Sequence, residues 1–185
     1  MMKVIIGITG ASGVAYSKRL LEVLHELNIE THLVISRAGY LVIERELKID
    51  VNKLKKLANF TYESEDLMAP ISSGSFIVDA MIVIPASMKT VSSISVGISA
   101  NLITRAADVQ IKENRKLILV PRETPLNAIH LENLLKLAKL GVIILPAMPG
   151  FYHDPESIES IVDFIVGKIL DQLKIDHNLY KRWTE

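Results

Sequence analysis

The chain has 185 residues, the length of one domain, and we predict a single domain over residues 1–185. It contains no cysteine, which excludes disulfides, thiolate nucleophiles and cysteine-ligated zinc. Its 21 Lys and Arg balance 21 Asp and Glu, so no overall charge draws it to nucleic acid or to an anionic membrane.

The chain is apolar for its size, with 49% hydrophobic residues and a mean hydropathy of +0.30. This excess predicts subunit interfaces, although a core of buried parallel strands would also raise it. No apolar run approaches the ~18 residues of a membrane span. The N-terminus enters a strand pattern directly, without the layout of a signal peptide, so we expect a cytoplasmic protein.

Five continuous apolar runs of strand length, rich in Val and Ile, recur along the chain. In order they are Val4–Ile8, Thr31–Ile35, Ala80–Ile84, Leu117–Val120 and Val142–Leu145. Continuous rather than alternating apolar residues are typical of strands covered on both faces. Helical stretches separate the runs, so we predict an α/β fold of three αβα layers, with a Rossmann-like, open and mainly parallel sheet.

Apolar spacing predicts three helices between and after these strands: Val14–Leu27, Asn127–Leu140, and one that opens at Pro155 and runs to Leu173. Two segments are less regular. Leu47–Ser75 mixes a short basic helix with an acidic stretch and a loop. Thr90–Lys112 looks helical but holds many small residues, which allow close backbone approach within the fold or across a subunit contact.

A polar loop follows each predicted strand. The five loops read TGASG, SRAG, PASMKT, PRETPLN and PAMPGFYHDP. In open parallel sheets, ligands bind beyond the carboxyl ends of the strands. The sequence therefore predicts one large site along this edge of the sheet.

The first loop carries glycines at equal spacing, Gly7, Gly10 and Gly13, a spacing that matches neither the dinucleotide fingerprint nor the P-loop. A single phosphate fits better, bound by the N–H groups around Gly10–Gly13 and by the hydroxyls of Thr9 and Ser12. The alternative is a tight turn between strand and helix that needs glycine only for packing.

Other motifs each have an ordinary structural alternative. Ser87–Thr90 is either a ligand loop or a helix cap, and Arg122–Thr124 is either part of a site or a salt bridge at the edge of the sheet. Taken alone, Glu46 and Lys112 are typical of solvated surface charges. The histidines show no metal-ligand spacing, and Trp183 is typical of an interface anchor.

Together these motifs resemble the flavin prenyltransferase family of the UbiX type. The resemblance covers almost the whole chain and runs through TGASG, VISRAG, PISSGS, PASMKT, NLITRAADV, KENRKLILVPRETPL, HLENLLKLAKLGVIILPAMPGFYHDP and DFIVGKILDQL. The wider fold group also contains flavin-dependent cysteine decarboxylases. Their P-x-M-N-x-x-M-W motif is replaced here by the residues of Pro146–Tyr152, which argues against cysteine decarboxylation.

The resemblance implies a flavodoxin-like fold, a cofactor and a reaction. Family members join the dimethylallyl group of dimethylallyl monophosphate to N5 and C6 of reduced FMN, without a metal. The product, prenylated FMN, serves UbiD-type decarboxylases. The family assembles as dodecamers with active sites at subunit junctions, and we expect the C-terminal tail, about 175–185, to lie at such an interface. The alternatives are a flavin-dependent decarboxylase and a non-catalytic FMN carrier.

The resemblance also assigns residues by motif. FMN contacts are expected at Gly10, Ala11, Ser12, Ser36, Ser87, Met88, Lys89, Thr90 and Arg122. The prenyl phosphate is expected to meet Arg105, Lys112, Glu123, Tyr152 and Lys168. Glu123 is the expected catalytic acid/base, and Ser12 and Glu46 are expected to relay or orient a proton.

Two positions depart from some relatives. Lys168 stands where some carry Arg; Lys keeps the charge but loses the bidentate fork, which predicts weaker phosphate binding. Leu67 stands where some carry Trp, whose aromatic face can support a cation. Leu gives no such support, so the sequence leaves the preferred prenyl donor open.

Overall fold

A parallel sheet lies at the centre of the computed structural model, which describes residues 2–183. Within these residues its six strands are β1 Lys3–Ile8, β2 Glu30–Ile35, β3 Phe60–Glu63, β4 Ala80–Ala86, β5 Lys116–Pro121 and β6 Ile143–Ile144. They lie in the order β3-β2-β1-β4-β5-β6, and every pairing is parallel. The chain therefore winds outward from β1 in one direction and from β4 in the other.

Helices cover both faces of the sheet. They are α1 Val14–Glu26, α2 Arg37–Leu47, α3 Val51–Lys55, α4 Met88–Ser95, α5 Leu102–Lys112, α6 Ala128–Lys139 and α7 Ile158–Leu173, with a 3₁₀ turn at Pro70–Ser72. One buried cluster contains Leu24 of α1 and Ile165 of α7, and a second contains Val91 of α4 and Ile103 of α5. The predicted three-layer αβα fold is confirmed. No helix within residues 2–183 has the length and apolar character to cross a membrane.

All five predicted strands are present, but the sequence did not predict β3. Phe60–Glu63 is a short edge strand with mostly exposed side chains, so it lacks the continuous apolar run that marked the others. The Thr90–Lys112 segment forms α4 and α5 rather than one helix, and Gly97 between them has φ 74°. This left-handed backbone favours glycine and is incompatible with a continuing helix.

The last helix begins later than predicted. The prediction placed its start at Pro155, whereas α7 begins at Ile158. Ser157 is the N-cap, and its side chain accepts a hydrogen bond from the backbone N–H of Ser160 at 3.1 Å. A serine hydroxyl satisfies one of the free N–H groups of the first turn, which proline cannot do.

The residues after α7 fold back onto that helix. Gly167 makes this possible, because a Cβ at that position would lie 2.6 Å from the Tyr180 ring. Asp171 then accepts hydrogen bonds from the Tyr180 hydroxyl at 2.6 Å and from His177 Nε2 at 3.1 Å. Arg182 Nη2 donates to the same carboxylate at 3.0 Å. One carboxylate thus anchors the segment; residues 184 and 185 of the predicted tail lie outside the described residues.

We expect Asp171→Asn to destabilise the fold by about 2 kcal/mol at neutral pH. Burial alone raises the pKa of Asp171, but the hydrogen bonds from Tyr180, Arg182 and His177 outweigh it and lower the pKa to about 2. Because the folded pKa lies below the unfolded value of about 3.9, this stability is complete above that value and is lost as pH falls toward 2.

Urea unfolding of both proteins between pH 7 and pH 2 measures the effect. The difference in unfolding free energy between wild type and Asp171→Asn should shrink as pH falls below about 4. A difference that stays constant over this range would show that the charge of Asp171 contributes nothing.

Candidate active site

A cavity of about 400 Å³ opens at the carboxyl ends of β1, β2 and β4. It is lined by Thr9, Gly10, Ser36, Arg37, Ala38, Glu65, Ser87, Lys89, Thr90, Ser93, Ala100, Asn101 and Thr104. The cavity lies where the strand order reverses between β1 and β4, the position at which open parallel sheets bind their ligands.

Three helices begin at this cavity, each capped by one of its lining residues. Ser36 caps α2, Ser87 caps α4 and Asn101 caps α5, and each side chain accepts a backbone N–H of the first turn. Helix N-termini carry partial positive charge, and the side chains of Arg37 and Lys89 add two positive charges against the one negative charge of Glu65. The cavity is therefore suited to a ligand that carries a phosphate.

Gly10 brings two of the lining loops into contact. A Cβ on Gly10 would lie 2.5 Å from the Cβ of Ala38, closer than two such atoms can approach. Glycine is therefore required here for the β1–α1 turn to approach the first turn of α2.

Donors in the glycine turn that the sequence analysis assigned to a phosphate have partners within the protein. The buried Thr9 hydroxyl donates to the Pro85 carbonyl at 2.6 Å and accepts the Ser87 N–H at 2.8 Å. The N–H groups of Gly13 and Val14 donate to one oxygen of Glu46, at 2.9 and 3.2 Å. The expectation that Thr9 binds phosphate is wrong. At the start of α1, the Glu46 carboxylate occupies the N–H groups that a phosphate would need.

Glu46 therefore lies beside Gly13, the residue that follows Ser12. The proton-handling roles expected of Ser12 and Glu46 stay a prediction. Arg122 approaches the same turn, since its Cγ lies 3.9 Å from the position of a Cβ on Gly13. Burial raises the pKa of the neighbouring Tyr16, and the charge of Arg122 opposes that rise. The structure thus brings Ser12, Glu46 and Arg122 together around Gly13.

The nine predicted FMN residues fall into two sets. Those that line the cavity are Gly10, Ser36, Ser87, Lys89 and Thr90. Those that do not line it are Ala11, Ser12, Met88 and Arg122. Ala11 and Met88 are buried, whereas Ser12 and Arg122 are exposed near the glycine turn.

The five residues expected at the prenyl phosphate do not meet within one chain. Arg105 and Lys112 lie on α5, which packs on one face of the sheet. Tyr152 packs against Phe164 of α7, and Lys168 lies on α7, which covers the opposite face. Glu123 is exposed just after β5, where its carboxylate accepts the N–H of Thr124 at 3.2 Å.

The α5 cations lie against the end of the 3₁₀ turn and the loop that follows it. Arg105 Nε donates to the Ser72 carbonyl at 3.1 Å, and its Nη1 pairs with Asp108 at 2.9 Å. Lys112 Nζ pairs with Glu113 at 2.5 Å. Leu67, one of the two departures, precedes this loop and is 49% exposed.

The α7 side chains lie in an aromatic cluster with the C-terminal segment. The Tyr152 ring meets Phe164 and Trp183 edge-on, with centroids 5.8 and 5.2 Å apart. Lys168 Nζ lies 3.4 Å from Asp171 and 5.9 Å from the Tyr180 ring centroid. Trp183 is 77% exposed, so much of its ring is available for a contact outside this chain.

Seven lining residues were not predicted from the sequence: Arg37, Ala38, Glu65, Ser93, Ala100, Asn101 and Thr104. A signal was present for two of them. Asn101 and Thr104 form a reciprocal capping box, which the Asn-x-x-Thr spacing at the start of α5 permits. Reading Thr90–Lys112 as one helix concealed this second N-terminus.

Two other observations bear on the location of the site. A second cavity, of about 470 Å³, lies between α1 and α7, but both of its cations are already paired, Arg19 with Asp163 and Lys18 with Glu22. No group of three or more His, Cys, Asp or Glu within residues 2–183 is arranged to hold a metal ion.

Comparison with known proteins places the chain in a family. Residues 1–170 match the model of the Flavoprotein family. The chain is 53% identical to the flavin prenyltransferase UbiX of Methanocaldococcus jannaschii over 182 residues, covering 98% of each chain. It is 51% identical to the mitochondrial flavin prenyltransferase PAD1 of Saccharomyces cerevisiae, covering 98% of this chain and 75% of PAD1.

Solved structures agree. AnUbiX (PadA1) in complex with FMN and dimethylallyl pyrophosphate has a TM-score of 0.97 and 42% identity, covering 98% of this chain and 97% of its own. A dodecameric FMN-dependent UbiX-like decarboxylase from Escherichia coli O157:H7 has a TM-score of 0.96 and 48% identity, covering 98% and 99%. With such agreement over its whole length, the chain belongs to the Flavoprotein family and, within it, to the flavin prenyltransferases of the UbiX type.

Proposed function

We propose that this protein transfers the dimethylallyl group of dimethylallyl monophosphate to N5 and C6 of reduced FMN. The observation that carries this function is the close match over the whole chain to AnUbiX, solved with FMN and a dimethylallyl phosphoester. The product, prenylated FMN, would serve a decarboxylase of the UbiD type. A cytoplasmic location stays a prediction from the sequence.

The cavity at the carboxyl ends of β1, β2 and β4 has the donors that FMN requires. Ser87, Lys89 and Thr90 at the start of α4 would hold the phosphate, because they combine hydroxyls and a cation at the positive end of a helix. Gly10 leaves the space beside Ala38 free of a side chain. When bound, reduced FMN supplies the nucleophilic N5 and C6 positions. We assign Ala11, Ser12, Met88 and Arg122 to its remaining contacts, at the adjoining turns.

Cations stabilise the phosphate that leaves the prenyl group. Loss of phosphate breaks an allylic C–O bond, leaving positive charge on carbon and added negative charge on phosphate. Arg105, Lys112 and Lys168 neutralise that charge, and the Tyr152 hydroxyl donates to it. Each such interaction lowers the barrier by ~2–4 kcal/mol when it strengthens in the transition state. Exclusion of water prevents capture of the cationic carbon.

Proton transfer falls to three side chains near the ends of β1, α2 and β5. Glu123 is the acid/base that removes the C6 proton, and its exposed position after β5 leaves it free to face a substrate. Glu46 is fixed by the N–H groups of Gly13 and Val14, which orients its carboxylate beside Ser12. We assign Ser12 and Glu46 to orientation of a proton near N5.

A complete phosphate site needs a second subunit. Arg105 and Lys112 lie on the opposite face of the sheet from Lys168, so one chain cannot supply all three to one phosphate. We propose a homo-oligomer, a dodecamer as in the E. coli relative, in which α5 of one subunit faces α7 of another. The tail from about residue 175, with exposed Trp183, would lie at this junction.

Incubation with reduced FMN and dimethylallyl monophosphate without oxygen tests the reaction directly. Mass spectrometry of the flavin should show the addition of one C5H8 unit, since phosphate leaves and a proton is lost. Because the E. coli relative is named a decarboxylase, cinnamic acid and a C-terminal cysteine peptide serve as parallel substrates. Release of CO2 from either one, with an unchanged flavin mass, would refute the proposed reaction.

We expect Glu123→Gln to bind FMN as wild type does and to lose ring closure by a factor of 10² to 10⁴, the usual contribution of general acid/base catalysis. The amide keeps the size of the side chain but cannot accept the C6 proton. Flavin titration and mass spectrometry measure the two effects separately. Glu26→Gln, at an exposed position on α1, is the matched control. Full activity in Glu123→Gln would remove Glu123 from the mechanism.

Mixed oligomers test whether the phosphate site spans two subunits. Lys112→Ala and Lys168→Ala should each be nearly inactive, but random co-assembly should restore about a quarter of the sites, because one subunit supplies Lys112 and its neighbour Lys168. Co-assembly of Arg105→Ala with Lys112→Ala should restore none, since both side chains come from the same α5. Equal recovery from the two mixtures would contradict the shared site.

A further inference from the structure

Arg115, just after α5, hydrogen-bonds the loop Ser72–Phe76. Its Nη2 donates to the Gly74 carbonyl at 2.6 Å, and its Nη1 donates to the Phe76 carbonyl at 2.9 Å. The side chain is only 16% exposed. One planar guanidinium therefore fixes two carbonyls of a loop about forty residues away in sequence.

The backbone of Arg115 is held by the C-terminal end of α5. Its backbone N–H donates to the Gln110 carbonyl at 2.8 Å. Asn114, the residue before it, has φ 52°, a left-handed conformation that often ends a helix. The guanidinium is thus set in a fixed relation to α5, which carries Arg105 and Lys112.

The other end of the loop is fixed by Arg105, whose Nε donates to the Ser72 carbonyl at 3.1 Å. Two guanidiniums from the α5 region therefore bind both ends of a five-residue loop. Between them, the hydroxyls of Ser73 and Ser75 hydrogen-bond to each other at 2.8 Å.

Gly74 couples the loop to Lys112. A Cβ on Gly74 would overlap the Glu113 carboxylate and lie 2.9 Å from Lys112 Nζ. The Lys112–Glu113 pair thus lies directly on the backbone of the loop. Movement of the loop would move the Lys112 ammonium, and Arg115 determines where the loop lies.

We propose that Arg115 is a positioning residue for the prenyl phosphate: by holding the carbonyls of Gly74 and Phe76, it fixes the loop against which Lys112 and Arg105 are placed. This inference rests on the proposed function, which assigns those two cations to the phosphate. Arg115 has both Nη groups committed to carbonyls and acts through the loop. FMN binding does not depend on it, because it does not line the FMN cavity.

Binding and turnover in Arg115→Gln and Arg115→Lys test the proposal. In Arg115→Gln we expect the Kd and KM for dimethylallyl monophosphate to rise about tenfold, with a smaller change in kcat and an unchanged Kd for FMN. Lys keeps the positive charge but lacks the paired N–H donors of the guanidinium. The KM of Arg115→Lys should therefore lie between those of wild type and Arg115→Gln. Arg45→Gln is the control, since the Arg45 side chain is exposed on α2 and forms no hydrogen bond or ion pair within residues 2–183.

Each outcome separates the role of Arg115 from the proposed reaction. Calorimetry of the FMN-loaded protein with dimethylallyl monophosphate measures binding without turnover. A Kd within twofold of wild type in Arg115→Gln overturns the positioning role, as does an equal loss of FMN and prenyl phosphate binding. Failure of wild type to prenylate FMN would refute the proposed reaction, whereas the calorimetric difference would still decide the role of Arg115.

Discussion

The buried hydroxyl of Thr9 links the loops that follow β1 and β4 at the carboxyl edge of the sheet. Thr9 at the end of β1 donates to Pro85 in β4 and accepts the N–H of Ser87, the cap of α4. The winding of the sheet reverses between these two strands, which are far apart in sequence but paired in the sheet, and the Thr9 hydroxyl extends that pairing into the loops that follow them. The bond fixes the α4 N-terminus against the glycine turn, and the FMN cavity depends on that placement. An unpaired hydroxyl at this depth would be costly, which makes the arrangement specific.

The two proposed phosphate-binding regions follow from different physical constraints. The cavity that we assign to FMN belongs to one chain, because parallel crossovers bring the starts of α2, α4 and α5 to the same edge. The proposed prenyl phosphate site is divided, because α5 and α7 cover opposite faces of the sheet. In the proposed oligomer, assembly would complete that site, and it would also offer cover to apolar side chains such as Ile129 and Leu135 on α6, both more than half exposed in the single chain.

The sequence was sufficient for the layers of the fold and for five of the thirteen residues that line the cavity. Continuous apolar runs identified the central strands, since burial on both faces demands them. It failed at Phe60–Glu63, where an exposed edge strand needs no such run, and at Pro155, where the cap is Ser157. Thr9 and Arg115 were beyond prediction for another reason. Their partners lie 76 and about forty residues away, so only the folded chain shows that a hydroxyl or guanidinium is already committed.

Asp171 links the C-terminal segment of the chain to Lys168. This carboxylate is the counter-ion nearest to Lys168, and it also receives the donors of His177, Tyr180 and Arg182. In the proposed site, a phosphate at Lys168 would compete with a carboxylate whose charge is already shared among those donors, so release of the ammonium would cost little. Shortening the chain before Tyr180 would leave the Asp171 carboxylate with only His177 and Lys168 among these partners. The last residues of the chain therefore set how strongly Asp171 holds Lys168, a cation that lies 5.9 Å from the centroid of the Tyr180 ring.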